Sequence, residues 1–395
     1  MKRIAYATVG LFAALNIYPT TSRAEILAML NYETKPPESL KALRNPITPG
    51  ARTEGIAVMD VDPASPNYGK IVENIALPAD LVAHHIFFNR ALTKAYVTAL
   101  GQSVMHVIDL TKRPFTLKAV PTPGCSVQEN VVFSDDNKKW YVTCMGTQNV
   151  VVGDAANDTP TGTIPVPSPY PHGIAIMENI DRMLTTSTVR PSDLGDPGET
   201  IGIVELSTGR SLGAARVSAK PSPSGAASVE VLAVPGANPP AAYVTTMFGG
   251  ELWLMRWNAA KKDFDTSRVF DFATVKAGVA LEIYLSEKRD RLYVTTAKPG
   301  ALHIFDITAG LDNPKLIKTI ATAEGAHHLS ITADGRYGYV QNSLLNLPGM
   351  SDGSITVIDM QKGERIGSID TLKNTGFNPN SIVLLPKWYA AMGRH

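Results

Sequence analysis

The sequence predicts an all-β fold, a seven-bladed β-propeller with four-stranded blades. A short strand pattern built on Tyr-Val recurs at intervals of 45 to 50 residues, with one longer gap of 102 residues. An apolar strand and a turn precede each copy, and a further strand that often ends in Asp follows it. Short strands repeated at this interval are typical of blades arranged radially around a channel. The copies are Ala95–Thr98, Trp140–Thr143, Ala242–Thr245, Leu292–Thr295 and Gly338–Gln341.

The seventh blade has only one strand before the sequence ends, so its other strands must come from elsewhere. Three strands predicted near the N-terminus can supply them, at Ile26–Leu30, Ile56–Asp60 and Ile71–Glu73. We therefore expect a ring closed by N-terminal strands joining the C-terminal strand, which removes exposed sheet edges. The predicted propeller domain covers residues 25–395.

The first 24 residues have the pattern of a cleaved secretory signal peptide. Lys2 and Arg3 precede an apolar run from Ile4 to Tyr18, and small residues lead up to Ala24. This run is shorter than the roughly 20 residues that cross a bilayer. We expect cleavage after Ala24, a periplasmic or secreted protein, and no membrane insertion.

Composition and motifs exclude several classes of function. Lys and Arg number 37 against 36 Asp and Glu, so no basic field attracts nucleic acid. The sequence also lacks a Walker loop, a dinucleotide-binding glycine motif, a Gly-x-Ser-x-Gly elbow and a Cys-x-x-Cys-His haem site. Its two cysteines, Cys125 and Cys144, flank a predicted hairpin and form either a disulfide or two buried thiols.

Histidine and glutamate recur where the innermost strand of each blade begins. Five of the eight histidines fall in two adjacent positions of the repeat. The first position holds His84, Glu129, His172, Glu230, Leu281, His327 and Asn380. The second position holds His85, Asn130, Gly173, Val231, Glu282, His328 and Ser381.

Imidazoles and carboxylates that converge on the channel from different blades are ligands for a transition metal such as copper. The pattern predicts His84, His172 and His327 as metal ligands. His85 and His328 join them only if the backbone turns there, since neighbouring residues of a strand face opposite ways.

The carboxylates and the amide have other predicted roles at this centre. Glu282 and Glu129 are the candidate catalytic bases, and Glu230 and Asn380 are candidates to orient the ligands. A purely structural interpretation stays open for each residue, with histidines bonded to neighbouring backbone and glutamates in ion pairs between blades.

Seven short motifs are spread over the sequence: Asp60–Tyr68, Leu77-Pro78, His84-His85, Pro171-His172, Leu281–Ile283, Gly325–His327 and Tyr339–Leu344. Together they resemble the selenium-binding protein and methanethiol oxidase family. Paired histidines entering a blade are also similar to those of nitrous oxide reductase and of copper-dependent thiocyanate dehydrogenases, and the Tyr-Val-Thr strands resemble exported YVTN-repeat propellers.

The resemblance implies an exported, copper-dependent propeller that oxidises methanethiol to formaldehyde, hydrogen sulfide and hydrogen peroxide. It places the metal site at His84, His85, His172 and His327, with a glutamate at Glu282. Three family features are absent: the Cys-x-x-Cys is replaced by Phe87–Arg90, a histidine by Ala175, and a His-Glu-Ile segment by Asn380–Ile382.

Three hypotheses follow for function. The first is a periplasmic copper-binding propeller that oxidises a small sulfur compound, with a small-molecule substrate or a redox partner protein. The second is a non-catalytic propeller that serves as a binding or scaffold protein. The third is a lactonase-like hydrolase with a divalent metal held by Glu129, Glu230 and Asn380, and metal identity distinguishes it from the first.

Overall fold

The computed structural model describes residues 25–35 and 52–388, and their strands form seven antiparallel sheets. The predicted signal peptide lies outside the described residues. Six sheets have four strands in chain order, and the seventh combines strands from both ends of the sequence. The seven-bladed propeller predicted from the repeat is therefore confirmed. Blades are numbered here from the one that contains His84, and the blade with both chain ends is blade 7.

The first three blades follow one another along the chain. Blade 1 contains β4 (Ala83–Phe88), β5 (Lys94–Ala99), β6 (Val104–Asp109) and β7 (Leu117–Pro121). Blade 2 contains β8 (Gln128–Phe133), β9 (Lys139–Cys144), β10 (Asn149–Asp154) and β11 (Thr159–Pro165). Blade 3 contains β12 (Ile174–Met177), β13 (Arg182–Thr186), β14 (Thr200–Glu205) and β15 (Arg210–Arg216).

The next three blades have the same order of strands. Blade 4 contains β16 (Ser228–Ala233), β17 (Ala241–Thr246), β18 (Glu251–Asn258) and β19 (Asp263–Asp271). Blade 5 contains β20 (Gly278–Leu285), β21 (Arg291–Lys298), β22 (Gly300–Asp306) and β23 (Lys315–Ala321). Blade 6 contains β24 (Ala326–Ile331), β25 (Tyr337–Asn342), β26 (Ile355–Asp359) and β27 (Glu364–Ile369).

Blade 7 closes the ring with strands from both chain ends, as the sequence predicted. The N-terminal strand pairs on one side with its neighbour in the sequence and on the other side with two short C-terminal strands. The edge of the N-terminal strand is thereby paired and is not open to a strand of another chain. The strands are β1 (Leu27–Thr34), β2 (Glu54–Asp60), β3 (Ile71–Ala76), β28 (Phe377–Pro379) and β29 (Val383–Leu384).

Helix is scarce in the described part of the chain. It consists of α1 (Thr371–Asn374) and two 3-10 turns, Glu178–Ile180 and Phe272–Val275. None of these helices is long or apolar enough to span a membrane. The molecule is therefore held together by its sheets and by the packing between them.

The hydrophobic core is divided among the interfaces between neighbouring blades. Between blades 7 and 1, for example, Ile56 and Val58 pack with Ala95 and Val97. The inner strands are buried on both faces, as in β4, whereas the outer strand of a blade, such as β15, is largely exposed. Apolar β-branched runs suit the inner strands because both faces contact another sheet.

Cys125 and Cys144 form a disulfide, which decides between the two states that the sequence left open. Their Cα atoms lie 4.9 Å apart. The bond ties the segment before β8 to the end of β9. It therefore fixes the channel-facing end of blade 2, next to Glu129.

Candidate metal centre

The two repeat positions rich in histidine and glutamate lie at a break in the innermost strands. In blade 1 the register between β4 and β5 shifts between Ala83 and Ile86, so His84 and His85 lie in a bulge. Blades 2, 5 and 6 have the same shift at their matching residues. A bulge redirects side chains that would alternate in a regular strand. Both residues of a pair can therefore face the channel, as the prediction for His85 and His328 required.

A polar side chain from the second strand stabilises each of these bulges. Its oxygen accepts the backbone N–H of the second residue of the pair. This side chain is the threonine of the Tyr-Val-Thr repeat, replaced by glutamine in blade 6. The bonds run from His85 to Thr98 (3.1 Å), Asn130 to Thr143 (3.0 Å), Glu282 to Thr295 (3.2 Å) and His328 to Gln341 (3.2 Å).

In blade 4 the structure gives Glu230 a different position in the repeat from the one predicted by the sequence alignment. The register of β16 shifts between Ser228 and Val231, so Val229 occupies the first position of the pair and Glu230 the second. The sequence alignment placed Glu230 first. The reason is the turn between β16 and β17, residues 234–240, which is longer than the corresponding turn 89–93 of blade 1. Counting residues from one repeat to the next shows that the repeat is longer, but it does not show whether the extra residues lie before or after the strand.

The first group of possible metal ligands joins blades 1, 2 and 3. Glu129 Oε2 lies 3.0 Å from His84 Nε2 and 3.4 Å from His172 Nε2. His85 completes the group, and the four ligand atoms lie within 4.8 Å of one another. An ion about 2 Å from each ligand requires only small side-chain adjustments.

The second group joins blades 1, 5 and 6. Glu282 Oε1 lies 3.5 Å from His327 Nε2, and its Oε2 lies 3.8 Å from His328 Nδ1. His85 again completes a set of four ligand atoms within 4.8 Å of one another. The hydroxyl of Tyr284 lies 3.3 Å from His328 Nδ1 and accepts the Leu329 N–H at 3.0 Å, which fixes the ring of His328.

His85 lies at the centre of the histidine cluster. Its ring centroid is 3.8 Å from that of His84, 4.6 Å from His328, 5.7 Å from His172 and 5.8 Å from His327. The structure thus brings together all five histidines that the sequence predicted as metal ligands, together with both predicted catalytic glutamates.

Burial shifts the protonation equilibria of this cluster. It lowers the pKa of His84 to about 3 and that of His85 well below its usual value, and neighbouring histidines lower both further. Burial also raises the pKa of Glu129 to about 7, although His172 and His327 oppose that change. His84 and His85 are therefore neutral near pH 7, the form in which imidazole binds a metal.

Several ring nitrogens of the cluster are available to a ligand. Both nitrogens of His85 are buried without a hydrogen-bond partner among the described residues, as is Nδ1 of His84, His172 and His327. Buried polar atoms are normally hydrogen-bonded, so a group of this size indicates a missing partner. Imidazole-rich sets with one carboxylate fit copper or another transition metal, and the residues present fit such an ion.

A small apolar chamber of about 210 Å³ lies directly above the first group. His84, Glu129, His172 and His327 form its polar floor. Its walls are otherwise almost entirely apolar, and the segments 189–200 and 344–353 contribute to them. The apolar lining includes Leu100, Val127, Met145, Val189, Leu194, Met247, Phe248, Leu281, Leu344, Leu347 and Met350.

The two residues predicted to orient the ligands lie beside the cluster. Glu230 accepts hydrogen bonds from Asn130 at 3.1 Å and belongs to neither ligand group. Asn380 donates to the carbonyl of Ala83 at 3.1 Å, directly before His84. Asn380 thus supports the backbone of blade 1 at the bulge.

Sequence reasoning missed Tyr284 and the methionines of the chamber wall. Tyr284 follows Glu282 by two residues in β20, so the alternation of the strand could have placed it near the same group. Met145, Met247 and Met350 come from three separate loops, and no local pattern marks them.

Comparisons with known proteins support the fold. No protein-family model matches the chain, and no curated protein matches it either. Among solved structures, a hypothetical selenium-binding protein from Sulfolobus tokodaii superposes with a TM-score of 0.73 at 15% identity, over 95% of this chain and 96% of the other. The periplasmic gluconolactonase of Pseudomonas aeruginosa superposes with a TM-score of 0.61 at 13% identity, over 90% and 99%. At these identities the likeness concerns the propeller fold.

Proposed function

We propose that this protein is a periplasmic copper-binding propeller that oxidises a small sulfur compound in its channel. The observation that carries the proposal is the position of His84, Glu129 and His172 of the first ligand group, which form the floor of an otherwise apolar chamber together with His327. A substrate in that chamber would contact these four residues and little other polar surface. The predicted signal peptide supports the location, and the resemblance to the methanethiol oxidase family supports the reaction.

The chamber restricts what the substrate can be. About 210 Å³ is small compared with the roughly 300–1,000 Å³ of sites for drug-sized ligands. Its walls are almost entirely apolar side chains, so a charged or heavily hydroxylated molecule would lose hydration and gain few hydrogen bonds. A small thiol or sulfide fits both the size and the polarity.

The residues of the floor have distinct roles in this proposal. Copper held by the histidines would supply one-electron redox chemistry, with dioxygen or a redox partner protein as the final acceptor. Glu129 faces the chamber beside His84 and His172, so its carboxylate lies where it could accept the proton of a bound thiol. Glu282 does not line the chamber and contacts His327 and His328 instead, so it would act at the metal site and would not contact the substrate.

A lactonase-like hydrolase is the second candidate, because the Pseudomonas aeruginosa neighbour is described as a gluconolactonase. Such an enzyme would hold a hard divalent ion with oxygen ligands and would bind a polyhydroxylated ring. The histidine-rich floor and apolar walls favour copper and a small apolar substrate instead. The predominant bound metal separates the two candidates.

Elemental analysis of the protein purified from the periplasm of an exporting host tests the proposal. We expect at least about one copper ion per chain, and a lower copper content in His84→Ala and in His172→Ala. His106→Ala is the matched control, since His106 is buried in β6 and belongs to neither ligand group. Copper below about a tenth of an ion per chain in the parent, or calcium in its place, overturns the proposal.

A further inference from the structure

The channel contains two separate sets of candidate ligands, and they differ in access to the chamber. Three of the four residues of the first set, His84, Glu129 and His172, line the chamber. In the second set only His327 does. Glu282 is fully buried, and His328 lines a different, small cavity of about 30 Å³ beside Tyr284. The first set is thus more open to the chamber than the second set.

A single ion cannot use both sets fully. Together the sets contain seven residues, more than the four to six ligands that copper and similar ions take in proteins. The carboxylates also divide between them, because Glu129 contacts His84 and His172, whereas Glu282 contacts His327 and His328. Each set therefore has its own carboxylate to balance the charge of one divalent ion.

His85 is the residue common to the two sets. Both of its ring nitrogens are buried and without a hydrogen-bond partner among the residues that the structure describes. A structural histidine would use at least one of these nitrogens in a hydrogen bond, as His303 does with Thr296 and Thr319 at 3.0 Å. His85 therefore belongs to both sets and has two ring nitrogens without a hydrogen-bond partner among the described residues.

We propose that the channel binds two metal ions, one near the chamber and one deeper, with His85 as a shared ligand between them. The chamber ion would be held by His84, Glu129 and His172, and the deep ion by Glu282, His327 and His328. If each ion takes one nitrogen of His85, the ring proton is released to solvent when the second ion binds. The inference rests on the proposed function, because it assumes that the channel binds copper.

Copper stoichiometry of the purified metal-free protein, reconstituted with copper(II), tests this inference. We expect about two ions per chain in the parent, about one in His172→Ala and about one in His328→Ala. His85→Ala should bind fewer than about one ion, since it removes a ligand of both sets. His106→Ala should match the parent.

The outcomes separate this inference from the proposed function. Absence of copper from the parent overturns both the two-ion inference and the proposed function. One ion per chain overturns the two-ion inference alone and leaves the proposed function unaffected. Loss of all copper in both His172→Ala and His328→Ala indicates one shared site and also overturns the inference. If His328→Ala fails to fold, as judged by circular dichroism, His328→Gln takes its place, because glutamine keeps a polar side chain of similar reach.

Azide binding distinguishes the two depths. Azide added to His328→Ala, which retains the chamber ion, should change the electron paramagnetic resonance spectrum of copper(II). The same addition to His172→Ala, which retains the deep ion, should leave the spectrum unchanged. Equal responses in the two variants would contradict the assignment of one ion to the chamber and one to a deeper position.

Discussion

Glu33 is a buried carboxylate that connects blade 7 with the loop above the chamber. Its Oε1 accepts hydrogen bonds from Asn346 at 2.7 Å and from Asn380 at 3.3 Å. Arg52 Nη1 lies 3.2 Å from its Oε2. Burial nevertheless raises the pKa of Glu33 to about 7, and Glu54 adds to this effect while Arg52 and Asn380 oppose it. The single residue therefore makes the stability of the ring dependent on pH.

The contribution of Glu33 to the stability of the metal-free protein should fall as the pH rises from 4.5 to 7. Because the folded state binds this proton more tightly than the unfolded chain, the contribution of Glu33 is full below pH 4.5 and is lost as the pH rises through 7. Glu33→Gln, which stays neutral, should gain up to about 3 kcal/mol relative to the parent over this range. Denaturant unfolding at several pH values, with a chelator present, measures the difference.

The matched control for this titration is Glu364→Gln. Glu364 is exposed on an outer strand, so its replacement should leave the same pH dependence as in the parent. A stability difference between Glu33→Gln and the parent that stays constant with pH would show that Glu33 titrates alike in the folded and unfolded states.

The second strands of the blades link the channel residues to one another. Thr295 accepts the N–H of Glu282 and donates its own hydroxyl hydrogen to the carbonyl of His327 at 2.6 Å. Thr143 makes the corresponding bond to the carbonyl of His172 at 2.5 Å. One hydroxyl thus holds the bulge of its own blade and the bulge of the next blade. The recurring threonine is needed for the geometry of the site as well as for the strand.

Thr295→Val should destabilise the protein by roughly 1–3 kcal/mol. The substitution keeps the shape of the side chain but leaves a buried N–H and a buried carbonyl without their hydroxyl partner. Thr161→Val, on the exposed strand β11, is the control and should change stability by less than about 0.5 kcal/mol. Guanidinium unfolding of the two variants compares them, and equal effects would argue against a bridging role for Thr295.

Closure of the ring makes the whole molecule depend on its two chain ends. Leu30 of β1 is fully buried and packs with Tyr339, Ile382 and Leu384, which belong to blade 6 and to the C-terminal segment. The bond from Asn380 N to Asn31 O, at 3.0 Å, fastens the same segment close to the channel. The N-terminal strand therefore supports the site although it supplies no ligand of either group.

Leu30→Ala should lower the free energy of unfolding by about 2–5 kcal/mol, because it leaves a cavity at the seam. Ile366→Ala, on the outer strand of blade 6 where Ile366 is 45% exposed, is the control and should have little effect. Thermal unfolding followed by circular dichroism measures both. A separate early transition in Leu30→Ala would show that blade 7 opens independently, whereas a single lower transition indicates that the ring unfolds as one unit.

The sequence predicted that the histidines lie at the channel, but it did not predict which residues of other blades they contact. His84, His172 and His327 could be placed at the channel because the repeat length is nearly constant in their blades. Glu230 was placed one residue early, since the longer turn after β16 cannot be recognised by counting. Tyr284 and the methionines of the chamber were missed because they act through contacts between blades.

The sequence by itself determined the number of blades, the strands that close the ring and the clustering of imidazoles around the channel. These features depend on strand patterns and on a repeat period, which are local properties of the chain. Only the tertiary structure decided that His84 and His85 both face inward, since this depends on the bulge between β4 and β5. It also divided the cluster into two groups around Glu129 and Glu282, because that division depends on distances between residues of different blades.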